Sequence, residues 1–182
     1  MKQAPMKTAI VLAMHGAPPR DFPQGEATEF LGLHARMDHA AGAERAALAQ
    51  RHAELDAKMR TWPRTAENDP FYVGALKLAE HLRRATGCEV ITGFNEFCGP
   101  SLDTALDQAA ALTPKHIILL TAMMTGGGEH AEVDIPAAVR RAQERHPGVD
   151  ITYAWPFDAS EVAQFLATQV AKFFGEPMPR KT

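Results

Sequence analysis

Several common functional signatures are missing from this sequence. Cysteine is nearly absent: Cys88 and Cys98 are the only two, and they form no CxxC pair. That rules out a disulfide framework and a multi-cysteine zinc site, and it points to a reducing compartment. No apolar run is long enough to span a bilayer. The stretch from Thr8 to Met14 is too short, and it leads into a His-Gly turn rather than a small-residue cleavage site. The expectation is a cytoplasmic chain with no membrane partner. Blocks of basic residues are lacking too. Lys and Arg number 19 against 22 acidic residues, a net charge of -3, so nothing supplies the electrostatic footprint of a nucleic-acid binder. Arg140, Arg141 and Arg145 recur at helical spacing and read as a solvated face. A Walker sequence and a GxGxxG fingerprint are both absent, so no nucleotide is expected.

What is present suits one globular domain. The composition is 46% hydrophobic and 23% charged, enough to build a sizeable core. Apolar runs of strand length cover Thr8 to Met14, Glu89 to Phe94 and His116 to Ala122, with a weaker one from Val149 to Trp155. The first and third are almost continuously apolar, as expected of parallel strands covered on both faces. Helical patterns lie between them. Asp69-Pro70 reads as an N-cap and first helical position, Val73, Leu76, Leu78, Ala79 and Leu82 follow, and Gly87 closes the segment. A second stripe runs from Leu102 to Leu112 and a third from Ala137 to Arg145. Asp158 and Glu161 open a last helix, with Val162, Phe165, Leu166 and Val170 expected on its inner face. This alternation predicts an α/β fold: a parallel sheet between two helical layers, built from right-handed crossovers. Residues 21–68 exceed what one crossover needs and read as a helical insertion, with helices near Glu26–Asp38 and Ala43–Arg60.

In open sheets of this kind ligands bind beyond the carboxyl ends of the strands. His15 follows the first run, Glu96 the second, and Met123, Met124, Gly126, Gly127, Gly128, Glu129 and His130 the third. Neighbouring parallel strands lie about 5 Å apart, so groups at their ends can face one cleft. Two histidines and a glutamate at three successive exits make a candidate site. Neutral imidazole is a ligand for Fe, Co, Ni and Zn, so His15 and His130 can hold an ion, and either histidine or Glu96 can accept protons. Binding requires the imidazoles deprotonated, so activity should fall in mild acid. Gly126, Gly127 and Gly128 either cradle a bulky ligand or form a mobile loop. Met124 either meets the ligand or fills apolar space. Asp134 either orients His130 or caps the following helix. Trp155 reads as a core or rim residue and Cys98 as a buried free thiol. His34, His39 and His52 read as solvent-facing residues of the insertion.

The apolar strand ending in His15-Gly16 resembles the opening of the class II tetrapyrrole chelatases, the sirohydrochlorin cobalto- and ferrochelatases. The resemblance continues in Gly93-Phe94-Asn95-Glu96-Phe97 with Pro100-Ser101-Leu102. It is most specific in Gly128-Glu129-His130 followed by Asp134-Ile135-Pro136. It covers residues 8–16 and about 88–170. It implies a chelatase-like α/β/α domain with metal binding on His15 and His130, and it places Glu96 in the proton-accepting position. The substrates implied are a divalent metal (Co2+, Fe2+ or Ni2+) and a sirohydrochlorin-type macrocycle, and short members of the family suggest a homodimer. The sequence departs from the family where Ala17-Pro18-Pro19 follows His-Gly and where residues 21–68 intervene. Two other functions compete: a non-catalytic carrier of metal or tetrapyrrole using the same cleft, and a hydrolase with His15 as nucleophile. The second lacks the arginine that phosphate-transfer chemistry would want.

Overall fold

The structure is a computed structural model and describes residues 8–174. Its elements follow in the order β1 (Thr8–Met14), α1 (Gln24–His39), α2 (Gly42–Arg60), α3 (Pro70–Thr86), β2 (Glu89–Phe94), α4 (Leu102–Ala111) and β3 (His116–Thr121). A π-helical turn (His130–Asp134), α5 (Ile135–Arg145), β4 (Asp150–Tyr153) and α6 (Ala159–Phe174) complete the chain. The four strands are all parallel, in the order β2-β1-β3-β4, so the α/β fold expected from the alternation is the one formed.

Strand β1 lies inside the sheet, paired on both edges, and six of its seven residues are buried. One face carries Ala9, Val11 and Ala13, which join Ile117 and Leu119 under α4 and α5. The small residues Ala105 and Ala109 of α4 and Ala138 and Ala142 of α5 let both helices pack close to the strands. The opposite face carries Leu12, Met14 and Phe94 against Ala75 and Ala79 of α3. Helix α3 begins as its sequence dictates. The Asp69 side chain accepts a hydrogen bond from the Tyr72 N–H, Pro70 occupies the first turn, and Gly87 ends the helix at φ 70°.

Two expectations fail together. In β3 only Ile117, Leu119 and Thr121 are buried, while Ile118 and Leu120 stay partly open. Phe165, Leu166 and Val170 of α6, expected on an inner face, are 50%, 54% and 53% exposed. Leu120 packs only partly on the α3 side of the core, and α6 makes few contacts with other elements among the described residues. The Asp158 carboxylate does accept from the Ser160 and Glu161 N–H groups, so the helix opens as its sequence suggests. The basic residues of α5 are also not simply solvated. Arg141 and Arg145 both pair with Asp103 on α4, and Arg145 also with Asp107, tying the two helices together.

Residues 21–68, the segment expected to be an insertion, form α1 and α2, an antiparallel pair with its own apolar cluster of Phe22, Phe30, Leu33, Leu48, Leu55 and Met59. Trp62 packs edge to face on Phe22 at 5.0 Å, and its indole N–H donates to Asp21. One residue in this cluster comes from outside the insertion: Phe97, in the loop after β2. The side chain of His34 lies outside the described residues. His39 is exposed, whereas His52 stacks on Phe30 at 4.5 Å and lines a cleft, against the expectation of a solvent-facing ring.

Candidate metal centre

Parallel pairing of β1 with β2 and β3 brings their ends into line, and the pairing continues past the strands. The Asn95 N–H donates to the Met14 carbonyl and the Glu96 N–H to the His15 carbonyl, both at 2.9 Å. The turn after β1 is thereby fastened to the turn after β2. Gly16 sits here at φ 100°, and an added Cβ would collide with the Glu96 carbonyl. Only glycine fits a position that combines a left-handed backbone with so close an approach.

The result is a cluster of three half-buried side chains. Ligand atoms of His15, Glu96 and His130 all lie within 4.8 Å of one another. The two imidazoles meet edge to face, with centroids 4.6 Å apart and Nε2 to Nε2 at 3.1 Å. Phe97 stacks on His15 from the other side, with ring centroids at 6.0 Å. The Glu96 carboxylate makes no hydrogen bond among the described residues, which leaves its oxygens available.

The outer nitrogens decide the tautomers. His15 Nδ1 lies 2.9 Å from the Gly16 carbonyl, and His130 Nδ1 lies 2.6 Å from Asp134 Oδ2. A carbonyl and a carboxylate only accept, so each Nδ1 carries the proton. In the neutral rings both Nε2 atoms then carry lone pairs, and at 3.1 Å a proton shared between them, or a cation that both face, relieves their repulsion. Imidazole nitrogens bind transition metals at about 2.0–2.1 Å, so two adjacent ligands on one ion stand about 3 Å apart.

His130 and Asp134 are the first and last residues of the π-helical turn, four positions apart, a spacing at which helical side chains meet. Helix α5 has no side-chain cap hydrogen bond. The Asp134 carboxylate lies against His130 Nδ1. The glycine-rich loop is partly occupied by its own chain: the Gly127 N–H donates to Glu132 Oε1 at 2.5 Å. Gly126, Gly127 and Gly128 are exposed, and Met124 is 39% exposed while Met123 packs on the core. Trp155 lies between Tyr153 at 6.1 Å and Phe157 at 5.6 Å, a rim stack. Cys98 is buried, which pushes its thiol pKa up, and it lies outside the three-residue cluster. It is the free thiol the sequence suggested.

A cleft of about 360 Å³ adjoins the cluster, between the insertion and the first turns of α4 and α5. Asn95, Glu96, Asp134, Arg60 and Phe30 line it. Two arginines from the end of the insertion, which no sequence motif marked, grip the loops that carry the cluster. Arg60 donates to the carbonyls of Asn95 and Cys98, both at 2.8 Å, and Arg64 to those of Ala17, Met59 and Phe97. Arg64 also pairs with the buried Asp69, which caps α3 with its other oxygen. No helix among the described residues is long and apolar enough to cross a membrane.

A family model described as CbiX matches residues 67–172, more than half of the chain. That segment holds Glu96 and His130 but not His15, whose place in the cluster rests on geometry alone. Among curated proteins, the sirohydrochlorin cobaltochelatase of Priestia megaterium is 31% identical over 82 residues, which is 44% of this chain and 26% of that protein. The match spans only about a quarter of that relative's length. Among solved structures, the sirohydrochlorin chelatase SirB from Bacillus subtilis subspecies spizizenii, in complex with cobalt, is 20% identical with a TM-score of 0.47. The alignment covers 92% of this chain and 51% of that one. A protein from Marinobacter aquaeolei VT8 named for CbiX and cobalamin (vitamin B12) biosynthesis is 19% identical with a TM-score of 0.48, covering 91% and 94% of the two chains.

Proposed function

The chain belongs to the CbiX family, and from that premise we propose that it inserts a divalent metal (Co2+, Fe2+ or Ni2+) into a sirohydrochlorin-type tetrapyrrole. The observation that carries this reading is the pair of Nε2 atoms 3.1 Å apart, with Glu96 beside them. In the proposed reaction His15 and His130 present the ion as substrate. The macrocycle enters with an edge in the adjoining cleft. Insertion releases two pyrrole protons, and in this reading the unpaired Glu96 carboxylate accepts them in turn and passes them to solvent. Two histidines and one carboxylate are few ligands for such an ion, which suits a site that must give the metal up. Gly126–Gly128 and Met124 border the macrocycle in this reading, and Asp134 holds the His130 ring.

The test is metal insertion followed by absorbance, with sirohydrochlorin and each metal in turn. The His15→Ala, His130→Ala double variant should lose turnover while remaining folded. Full turnover in that variant would sink the proposal. Tight macrocycle binding by the wild type without turnover would favour a carrier. A homodimer belongs to the same reading and is supported by the exposed apolar stripe of α6; sedimentation tests it.

A further inference from the structure

The helical insertion ends in Arg60, whose side chain is only 19% exposed and makes contacts that a surface arginine does not need. Its Nε donates to Asp56 Oδ2 at 2.7 Å, one turn back on α2. That ion pair fixes the plane of the guanidinium. The two remaining nitrogens then point at the backbone of the loop after β2. Nη1 donates to the Cys98 carbonyl at 2.8 Å and lies 3.4 Å from that of Phe94, and Nη2 donates to the Asn95 carbonyl at 2.8 Å. These carbonyls flank Glu96 on both sides. The approach is close enough that a Cβ on Gly99 would meet the Arg60 carbonyl at 2.9 Å. The strand ladder holds this loop by its N–H groups, through Asn95 and Glu96 to Met14 and His15. Arg60 holds it by its carbonyls. A backbone anchored by both kinds of group has little freedom to shift its side chain.

We propose that Arg60 is a positioning residue for the metal centre, through which the insertion holds the Glu96 carboxylate in ligand geometry beside His15 and His130. This rests on the reading that those three residues hold the ion. Only arginine offers a planar fork that satisfies a carboxylate and several carbonyls at once; lysine presents a single point charge. The insertion thus has a task in this domain beyond its own small core: it braces the acidic ligand from the side opposite the sheet.

The experiment is a titration of the full chain with Co2+ alone, read from the ligand-field absorbance of the bound ion, alongside thermal unfolding. Wild type, Arg60→Met, Glu96→Gln and the double variant form a cycle. Arg60→Met is expected to stay folded, weaken Co2+ binding roughly tenfold and alter the absorbance bands. In the Glu96→Gln background the same change should cost almost nothing, because the residue it positions is already gone. An equal loss in both backgrounds, or no loss in the folded variant, overturns the proposal. Should Arg60→Met fail to fold, Arg60→Lys takes its place in the cycle, with a smaller loss expected and the same two outcomes against it. Wild-type protein that binds no Co2+ overturns the site reading and this inference together, whereas the cycle overturns only the inference.

Discussion

His15 Nε2 and His130 Nε2 lie 3.1 Å apart, while the Gly16 carbonyl and the Asp134 carboxylate meet the two Nδ1 atoms. With the Nδ1 protons held by those acceptors, the Nε2 pair is left to share a proton or a cation.

Protons and metal compete for that pair. Co2+ affinity should therefore fall steadily as the solution is made mildly acidic, because each Nε2 must be unprotonated to bind. Isothermal titration across that range measures it. In His130→Ala the slope against pH should become shallower as well as the affinity lower. A wild-type affinity independent of pH would count against the histidine pair.

Asp134→Asn tests the outer contact. The amide can still meet His130 Nδ1 but no longer offers a charged acceptor, and because an amide can also donate, the ring loses its fixed tautomer. Metal affinity should drop about 10–100-fold with the fold intact. An unchanged affinity would leave Asp134 only a local role in the π-helical turn.

Gly16→Ala should be far more harmful than Gly127→Ala. Both glycines have positive φ, 100° and 86°, but only Gly16 has backbone in the path of a Cβ, whereas Gly127 has nothing within 4 Å. The Gly127 change should cost about 1–2 kcal/mol from the left-handed backbone alone. The Gly16 change should cost clearly more, through separation of the His15 and Glu96 turns. Urea unfolding of the two variants ranks them, and equal costs would contradict the geometry.

The link between α4 and α5 gives an acid-dependent stability. Hydrogen bonds from Arg141 hold the Asp103 carboxyl below its ordinary value of 3.8, with the Arg145 charge helping. A depressed folded-state pKa stabilises the protein above the unfolded value, and that contribution is lost as pH falls through the folded one. Asp103→Asn should lower stability at neutral pH and flatten its decline in acid. Unfolding midpoints measured from neutral into the acid range check the sign. The pair is partly exposed, so the effect should be modest and sensitive to salt.

Much of the fold could be read from local signals. The bounds of β1 and β2 coincide with their apolar runs, and α3 begins and ends at its Asp-Pro and Gly signals. The meeting of His15, Glu96 and His130 is legible for a topological reason: parallel strands bring their ends together, so polar groups after three successive strands converge. What escaped was whatever depended on long-range partners. The carbonyls that Arg60 and Arg64 grip are backbone groups, identical at every residue, and leave no mark in the sequence. Phe97 looked like part of a loop and proved to join the insertion core to the His15 ring. The period of α6 suggested a buried stripe, but periodicity states only which residues share a face, not whether anything covers it.

The three residues of the proposed site lie far apart in the chain: His15 and Glu96 just past β1 and β2, and His130 in the turn before α5, 115 positions from His15. An ion bound at the proposed site would therefore favour the folded chain, which alone brings the three residues together. Free ion at about a hundred times its Kd would add about 2.7 kcal/mol to the unfolding free energy, and the thermal midpoint would climb with metal concentration. The melting curve of this protein is then itself a metal gauge, readable without any macrocycle.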